Sequence, residues 1–600
     1  MRAVMAQEIA GRHYDVLLVG SGAGGGAVLD RLAPTGKHIL MLERGGYLRR
    51  ERENWGAQAV FVDARYQVRE DWFDREGIAF HPGLHYFVGG NAKVYGAALF
   101  RLREVDFSAR AHQDGDTPGW PLGYDEAETL FHVHGQRGVD PTEPASTTTH
   151  PHLPVSHEPR IQKLYDDMVR EGYHPFPLPL GILLDEENGK PAPHSACVRC
   201  DAFDGFPCLT NGKADSQIVA VDPNLPHPNV TLAIGVYVDT PTTDAAGRTV
   251  TGANVRRDGP AGEAVGIVTA DVVVVACGSL SSALLLMRSA TDAHPHGLAN
   301  GSGMLGRNYM RHINSALMAF SRVPNETKFQ KTLGCNDYFN GAPDWDYPLG
   351  HIQMLGKSHG DQVREDGLPS WLSALLPTAP FDYVARHSVD FWLNSEDIPK
   401  PENHIRLERD GKVVVDVDNG SLEQHKRPEH KLVEMLDKGR RPPAPGRPLI
   451  VFWTGHPDQR HRAPGGHRAV RHRPGDVGAG PGVQGARAGQ PLRRRRELLP
   501  VDRGGEPDAH HRRQRAAGGG SDQGLAALIL LVGVLERFDV GVAETEMVRR
   551  LVNQHAGNQL AQRLAGLDPL QQDRLTIQHD QVRQPAAVVG ASLVPWHTLI

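Results

Sequence analysis

The sequence lacks apolar runs of the length that membrane insertion requires. No run approaches the roughly 18 residues of a spanning helix, and the N-terminal MRAVMAQEIAGRHYD has no apolar core of a signal peptide. The formal net charge is only -6 over 600 residues, so the whole chain has no strong attraction to nucleic acid or anionic lipid. We expect a water-soluble protein without a transmembrane segment. Its length predicts two or more domains or one large interleaved enzyme.

Cysteine is also scarce, with five residues in the chain. This number excludes a disulfide framework and favours a reducing cytoplasmic location. Cys197, Cys200 and Cys208 form a C-x2-C-x7-C pattern. The pattern could supply thiolates to zinc, but a closed zinc site needs a fourth ligand, and Cys277 and Cys335 have no assigned place in it. We predict a packed or redox-prone loop and no metal site.

The C-terminal part lacks the residues that build a core. All 13 lysines lie at or before Lys438. No isoleucine occurs between Ile450 and Ile529, and no phenylalanine or tyrosine occurs between Phe452 and Phe538. Arginine, glycine, proline, alanine and histidine dominate instead. Such a composition buries too little apolar surface to offset chain entropy, so we expect residues after 455 to be irregular or disordered.

The four consecutive arginines Arg493–Arg496 raise the alternative of a nucleic-acid-binding arm. Clustered arginines neutralise phosphates, but this run has no interleaved aromatic residues for base stacking. Nearby aspartate and glutamate also dilute its charge. We therefore predict no nucleic-acid partner.

The clearest motif is YDVLLVGSGAGGGAVLDRLAPTGKHILMLERGG, residues 14–46. A short apolar strand leads into Gly20, Gly22 and Gly25 in G-x-G-x-x-G spacing, then a helix, then a second strand ending at Glu43. The glycines permit a tight turn, approach to a pyrophosphate and close helix packing. The helix N-terminus would face the phosphates, and Glu43 is placed to accept from ribose hydroxyls. The motif predicts a dinucleotide site but does not choose between NAD and FAD.

A second glycine motif, HYFVGGNAKVYGAALFR, covers residues 85–101. Gly89 and Gly90 open onto Asn91 and a run of small residues, which suits close approach to a flat ligand. Alone, it is equally an ordinary loop at a helix start. Together with the first motif, it resembles the flavin-binding loop of the glucose–methanol–choline (GMC) oxidoreductases.

The resemblance continues through a predicted strand over 229–238, a strand, glycine turn and helix over 270–290, the segment 297–312, and part of the substrate-domain sheet over 385–412. It covers about residues 14–455 and is closest to bacterial dehydrogenases of sugars and related alcohols. It implies FAD as cofactor, an alcohol or sugar substrate and an electron acceptor that the sequence does not identify. A plain NAD reductase is disfavoured. The positions that the resemblance assigns to the cofactor are Gly20, Ser21, Gly22, Gly25, Glu43, Arg44, Gly89, Gly90, Asn91, Tyr95, Gly96, Val236, Cys277 and Gly278.

Val94 and Tyr95 stand where certain family members carry a histidine bonded to the flavin. Non-covalent FAD is therefore expected. The implied α/β fold is a Rossmann-type FAD-binding domain interleaved with an α+β substrate domain on an antiparallel sheet. The predicted boundaries are 10–105 and 196–315 for FAD binding, 106–195 for a substrate or cap region, 316–455 for substrate binding and 456–600 for a tail without a reliable domain.

The family's catalytic pair, a histidine with a histidine or asparagine, comes from a C-terminal signature that this sequence lacks. Codons for Ala463–Arg468, read one base later, can encode the beginning of that signature, HQAGTV. Similarly, the codons of Arg493–Arg496 can encode Val, Val, Asp and Ala. We therefore expect a one-base slip near codons 455–463 and read-through from about residue 521. The catalytic residues of the present chain remain unassigned.

The literal sequence leaves an alternative open, namely a noncatalytic or inactive FAD-binding protein. Three histidines of the tail could be proposed as substitute bases: His461, His467 and His472. A catalytic base needs a fixed position before it needs a suitable pKa, so we do not assign them a catalytic role.

Overall fold

A computed structural model describes most of the first 438 residues and two short later segments. The described ranges are 8–100, 102–128, 136–137, 153–257, 261–310, 312–321, 323–367, 376–418, 422–438, 451–454 and 592–593. Of residues 456–600, which were predicted to be an irregular tail, these ranges include only 592–593. The prediction for the rest of the tail lies outside the described residues.

Strands and helices are interspersed along the chain in a mixed α/β order. The strands are β1 (His13–Val19), β2 (Ile39–Glu43), β3 (Trp72–Asp74), β4 (Ala79–Phe80), β5 (Arg110–His112), β6 (Gly115–Thr117), β7 (Gln136–Arg137), β8 (Pro175–Pro177), β9 (Leu180–Gly181), β10 (Glu186–Glu187), β11 (Lys190–Pro191), β12 (Val230–Ile234), β13 (Val236–Thr243), β14 (Val250–Arg257), β15 (Ala264–Val275), β16 (Ile313–Phe320), β17 (Leu333–Cys335), β18 (His351–Met354), β19 (Ser388–Ser395), β20 (His404–Leu407), β21 (Val413–Asp416), β22 (Val451–Thr454) and β23 (Ser592–Leu593). The helices are α1 (Ala23–Leu32), α2 (Tyr124–Glu128), α3 (Pro159–Arg170), α4 (Asp222–Asn224), α5 (Ser279–Arg288), α6 (Gly360–Gly367), α7 (Ala379–His387) and α8 (Leu422–Lys438).

A six-stranded sheet contains β1 and β2, the two strands of the N-terminal motif. Its order is β12-β2-β1-β15-β14-β13, and β12, β2, β1 and β15 run parallel. The central strands are apolar on both faces because helices and loops cover both sides of a parallel sheet. Leu17 and Leu18 on β1 are fully buried, as are Ile39 and Leu40 on β2. This sheet confirms the Rossmann-type domain.

The predicted strand over 229–238 is divided in the structure. Gly235 has a φ of +66°, a left-handed conformation that ends β12 and starts β13 in a new direction. β12 lies parallel to β2, whereas β13 lies antiparallel to β14. The turn also brings the Gly235 N–H to the Gly45 carbonyl at 3.1 Å, so the strand end is tied to the chain that follows β2.

The second large sheet is antiparallel over most of its width. Its order is β23-β22-β16-β19-β18-β17-β8, and β22 and β23 form its parallel pair. One face packs against α3 and α8 around Leu317, Met354, Phe391 and Leu432. The antiparallel sheet confirms the predicted second domain. Because its strands come from distant chain segments, the two domains are interleaved.

The segment 385–412, predicted as part of the substrate-domain sheet, is shared between two sheets. β19 pairs with β16 and β18 in the large antiparallel sheet. β20 pairs with β21 instead, and β21 pairs with β3 in a four-stranded sheet.

None of the helices in the described ranges has both the length and the apolar character needed to traverse a bilayer.

Candidate cofactor site

The turn after β1 is built by glycines that cannot carry a side chain. Gly20 has a φ of +103°, and a Cβ there would lie 2.4 Å from the Ala276 carbonyl oxygen. A Cβ on Gly25 would lie 2.0 Å from the Gly20 carbonyl oxygen. These two positions therefore require glycine, because backbone atoms of Ala276, just after β15, and of the turn itself approach too closely. This is the tight turn and helix packing that the motif predicts.

Gly22 differs because a Cβ there would have no atom within 4 Å. Gly22 is the N-cap of α1. No side chain forms a capping hydrogen bond at this helix end, and no acidic residue occupies the first turn. Gly22, Ala23 and Gly24 all line a cavity. The unpaired N–H groups of a helix start, facing an open cavity, form a place for an anion.

Glu43 ends β2 and joins three chain segments. Its carboxylate accepts from Ser21 Oγ at 2.5 Å, from the Ser21 N–H at 3.2 Å and from the Gly45 N–H at 2.9 Å. Ser21 Oγ also accepts from the Gly89 N–H at 3.1 Å. Burial raises the pKa of Glu43, while these hydrogen bonds act in the opposite direction. Glu43 thus fixes the turn and still lines the cavity.

The second glycine motif lies directly against the first. Gly89 and Gly90 both have left-handed φ values, +99° and +60°, and a Cβ on Gly90 would lie 3.2 Å from Gly22 Cα. Asn91 Oδ1 accepts from the His85 N–H at 2.9 Å, which closes the preceding loop. Burial lowers the pKa of His85 to about 4, so this cavity-lining imidazole is neutral at pH 7.

Tyr95 and Gly96 continue this loop in different surroundings. Tyr95 lines the cavity, and its hydroxyl donates to the Ala214 carbonyl at 3.0 Å. Burial raises the pKa of that phenol. A Cβ on Gly96 would lie 2.1 Å from Asp204 Oδ1 and 2.3 Å from Lys331 Nζ. Gly96 is therefore set against a buried ion pair and is not among the residues that line the cavity.

The cavity has a volume of about 2600 Å³ and follows the carboxyl ends of the parallel strands, where open α/β sheets bind ligands. Gly25, Gly89 and Gly96 stand behind its wall. The predicted cofactor residues on the wall are Gly20, Ser21, Gly22, Glu43, Arg44, Gly90, Asn91, Tyr95, Val236, Cys277 and Gly278.

Arg44 lies among aromatic residues beyond the end of β2. Its guanidinium is 4.0 Å from the ring centre of Tyr86 and 4.9 Å from that of Tyr237, and it pairs with Glu70. The Arg288 guanidinium lies 5.4 Å from the centre of the same Tyr237 ring. Burial and the nearby charge of Arg44 lower the pKa of Arg288. None of these four neighbours was predicted as a site residue, although Tyr86 lies within the motif 85–101 and Tyr237 within the segment 229–238; the other two are Glu70 and Arg288.

Cys277 and Gly278 connect β15 to α5 on the opposite wall. The Cys277 thiol donates to the Val19 carbonyl at 3.4 Å, and burial, followed by the charge of Glu43, raises its pKa to about 12. Gly278 has a φ of +80° and precedes the first turn of α5. Cys277 is accordingly a neutral wall residue and not a thiolate nucleophile.

The three clustered cysteines all carry free thiols. Burial raises the pKa of Cys197 to about 11 and that of Cys200 to about 12. At Cys208 burial is outweighed by the charge of Lys213 and by hydrogen bonds, so its pKa is lowered. No group of metal-ligating side chains occurs in the part of the chain that the structure describes. The thiols are chemically unequal, with Cys208 closest to a thiolate.

The described residues do not include the tail positions His461, His467, His472 and Arg493–Arg496. Residues 455–463, where the reading frame is expected to slip, also lie outside them. The cavity therefore presents a cofactor site whose catalytic side chains are unassigned.

Residues 88–314 match the family model of the GMC oxidoreductases. The chain is 29% identical over 387 residues to paromamine 6'-oxidase of Streptomyces fradiae, covering 62% of this chain and 68% of that protein. It is 33% identical over 324 residues to 6'''-hydroxyparomomycin C oxidase of Streptomyces lividus, covering 51% of this chain and just 56% of the relative. The solved structure of pyridoxine 4-oxidase from Mesorbium loti has a TM-score of 0.47 and 16% identity, over 72% of this chain and 84% of that one.

Proposed function

We propose that this chain acts as a GMC oxidoreductase, in keeping with the family model that matches residues 88–314, and that it binds FAD non-covalently and oxidises the CH–OH group of an alcohol or sugar. The observation that carries the proposal is the meeting of the two glycine motifs on one cavity wall. Gly22 leaves room beside the start of α1, and Gly90 lies against it. With its diphosphate at the first motif, FAD would extend through the cavity on both sides of this motif, with the adenine half on one side and the flavin half on the other.

The wall residues divide into four groups of contacts. The N–H groups around Gly22 would hold the diphosphate, and Glu43 would face the ribose. The adenine would lie near the backbone of Val236, beside the aromatic and guanidinium groups of Arg44 and its neighbours. Gly90, Asn91 and Tyr95 would line the flavin. FAD, when bound, supplies the acceptor for the hydride; the protein supplies binding and orientation.

Two side chains support non-covalent attachment. Val94 is buried and has no nucleophilic atom. The Tyr95 hydroxyl is engaged with the Ala214 carbonyl and stays protonated because burial raises its pKa. Neither residue offers a nucleophile to the isoalloxazine.

The names of the two Streptomyces relatives suggest the substrate class. One is an oxidase of paromamine and the other an oxidase of 6'''-hydroxyparomomycin C. We therefore favour a sugar hydroxyl over a simple alcohol as the hydride donor. The electron acceptor is left open, and the cytoplasm remains the predicted compartment.

The test begins with the purified full chain. Material with a flavin absorption band, whose flavin is released into the supernatant by acid precipitation, is the expected result. Flavin that stays with the precipitate would refute non-covalent attachment. A colourless chain that also fails to take up added FAD would refute the cofactor proposal itself.

A noncatalytic flavin-binding protein is the second candidate because the catalytic signature is absent from the literal sequence. The relatives favour the enzyme. A panel of aminosugars and polyols, assayed with an artificial dye, separates the two. Dye reduction by any sugar supports the enzyme, whereas bound flavin that no sugar reduces supports the alternative.

A further inference from the structure

Five consecutive residues, Lys213–Gln217, run behind both glycine motifs; we call them the 213–217 segment. They follow the cysteine-containing loop and lead into a helical turn at Gln217–Val221. Lys213, Asp215 and Ser216 are buried. Gly25 of the first motif and Gly89 of the second are 64 positions apart in sequence, so a shared support can fix the relative position of the two motifs only through tertiary contacts.

Lys213 and Ala214 hold Tyr95 by both of its polar ends. The Lys213 ammonium donates to the Tyr95 carbonyl at 2.8 Å, and to the Phe203 and Phe206 carbonyls at 2.6 and 2.9 Å. The Tyr95 hydroxyl donates to the Ala214 carbonyl. Burial lowers the pKa of Lys213 to about 8, and the three carbonyls replace the hydration that this buried amine has lost.

Asp215 and Gln217 hold the turn Gly90–Lys93. The Lys93 ammonium donates to Asp215 Oδ2 at 2.8 Å and to Gln217 Oε1 at 2.9 Å. The Lys93 side chain is 4% exposed and that of Asp215 is 0% exposed. A buried ion pair of this kind is costly to break because one charge would remain without a partner. The second glycine motif is thus anchored at its far end.

Ser216 reaches the first motif from the same segment. Its hydroxyl lies 2.9 Å from the Ser21 carbonyl oxygen and 3.0 Å from the Gly22 carbonyl oxygen, and donates to them. A Cβ on Gly26 would lie 2.2 Å from Ser216 Oγ, so α1 is shaped to admit this contact. Four residues of the segment therefore contact the second motif, residues 85–101, which we call the flavin loop. Ser216 alone of the five contacts the turn Gly20–Gly25 of the first motif, which we call the diphosphate turn.

We propose that the 213–217 segment is a positioning element that sets the diphosphate turn and the flavin loop relative to each other. None of its bonds to the motifs needs the cofactor, so the segment would hold the two motifs in place before FAD binds. Preorganisation of this kind increases affinity by reducing the ordering that binding requires. The inference rests on the proposed function, since it presumes that FAD occupies the cavity.

The variant Ser216→Ala tests the proposal with a minimal change. It removes the hydroxyl that contacts the Ser21 and Gly22 carbonyls but adds no bulk. We expect the dissociation constant for FAD to rise about fivefold and the visible circular dichroism of bound flavin to change. The full chain with Ser388→Ala is the matched control, because that hydroxyl is also buried and donates to one carbonyl, that of Ala385 in α7, away from the cavity.

A double-mutant cycle supplies the second test. Lys93→Met and Asp215→Asn should each weaken FAD binding more than Ser216→Ala does, and the double variant should weaken it by less than the product of the two effects. Thermal unfolding of each apoprotein identifies variants that have lost their fold. Wild-type affinity and an unchanged flavin spectrum in a folded Ser216→Ala chain would overturn the positioning role alone. A wild-type chain that binds no FAD would overturn the proposed function as well.

Discussion

At the scale of single residues, the glycines of one motif have opposite requirements. Gly20 and Gly25 are needed by the fold itself, since backbone oxygens occupy the space of their missing side chains. Gly22 is not needed by the fold, because its φ of -66° and ψ of -171° are open to any residue and its surroundings are empty. The sequence pattern treats the three alike, but only Gly22 keeps space for a ligand.

Substitution by alanine should separate these two roles. Gly25→Ala should reduce the free energy of unfolding by about 1–3 kcal/mol, as expected for overpacking. Gly22→Ala should change it by less than about 1 kcal/mol yet weaken FAD binding about tenfold or more. Urea denaturation and fluorescence titration with FAD measure the two quantities.

Gly123→Ala is the control, since a Cβ there meets no atom within 4 Å and Gly123 does not line the cavity. It should alter neither quantity. Normal FAD affinity in a folded Gly22→Ala protein would contradict the placement of the diphosphate.

At the scale of elements, α8 is attached to the antiparallel sheet by a buried polar chain. Ser315 Oγ lies 2.6 Å from both His425 Nε2 and Glu429 Oε1, and His425 Nδ1 lies 2.9 Å from Ser395 Oγ. Ser395 Oγ donates to the Leu349 carbonyl. If Glu429 is neutral, every link of this chain has one hydrogen-bond donor and one acceptor. Burial, only partly opposed by Ser315 and Lys426, raises the pKa of Glu429 to about 7.

This carboxyl should make stability depend on pH. Its pKa is higher in the folded than in the unfolded chain, so the folded state holds the proton more tightly. The resulting stabilisation is complete below about pH 4.5 and is lost as pH rises through about 7. We expect a loss of about 1–3 kcal/mol between these limits, measured by urea denaturation at a series of pH values.

Glu429→Gln, which mimics the neutral carboxyl, should abolish this part of the pH dependence. Glu434→Gln is the matched control on the same helix, since Glu434 pairs with Lys438 at the surface and its removal should leave that dependence intact. An unchanged pH profile in Glu429→Gln would show that the carboxyl is already ionised at neutral pH.

At the scale of the whole molecule, the described residues enclose the cavity proposed for the cofactor, whereas the catalytic signature is absent from the literal sequence and is predicted to lie in a displaced reading frame. Determination of the nucleotide sequence over codons 440–525 should reveal a one-base slip near codons 455–463. Restoring that base should give a chain that binds FAD as the literal chain does and also reduces a dye with a sugar. Flavin absorbance and dye reduction measured on both chains check this expectation. A verified, unbroken frame together with recovery of the literal C-terminal peptide from cells would rule the slip out.

The local part of the fold was predictable because it depends on neighbouring residues. The strand, glycine turn, helix and second strand of the N-terminal motif occur as the pattern indicates, and β2 ends at Glu43 itself. The division of the predicted 229–238 strand was not foreseen, since the effect of Gly235 depends on its contact with Gly45. The domain boundaries and the assigned cofactor residues remain predictions.

The resemblance to the GMC oxidoreductases and the mixed α/β fold class could be read from the sequence alone, because glycine spacing and apolar patterns act over short distances. Only the tertiary structure decided that Gly96 packs against Asp204 and Lys331, that Arg44 lies between Tyr86 and Tyr237, and that residues 213–217 support both motifs. Those contacts join segments separated by tens to hundreds of residues. Their energies depend on burial and on the geometry of hydrogen bonds, neither of which a linear pattern contains.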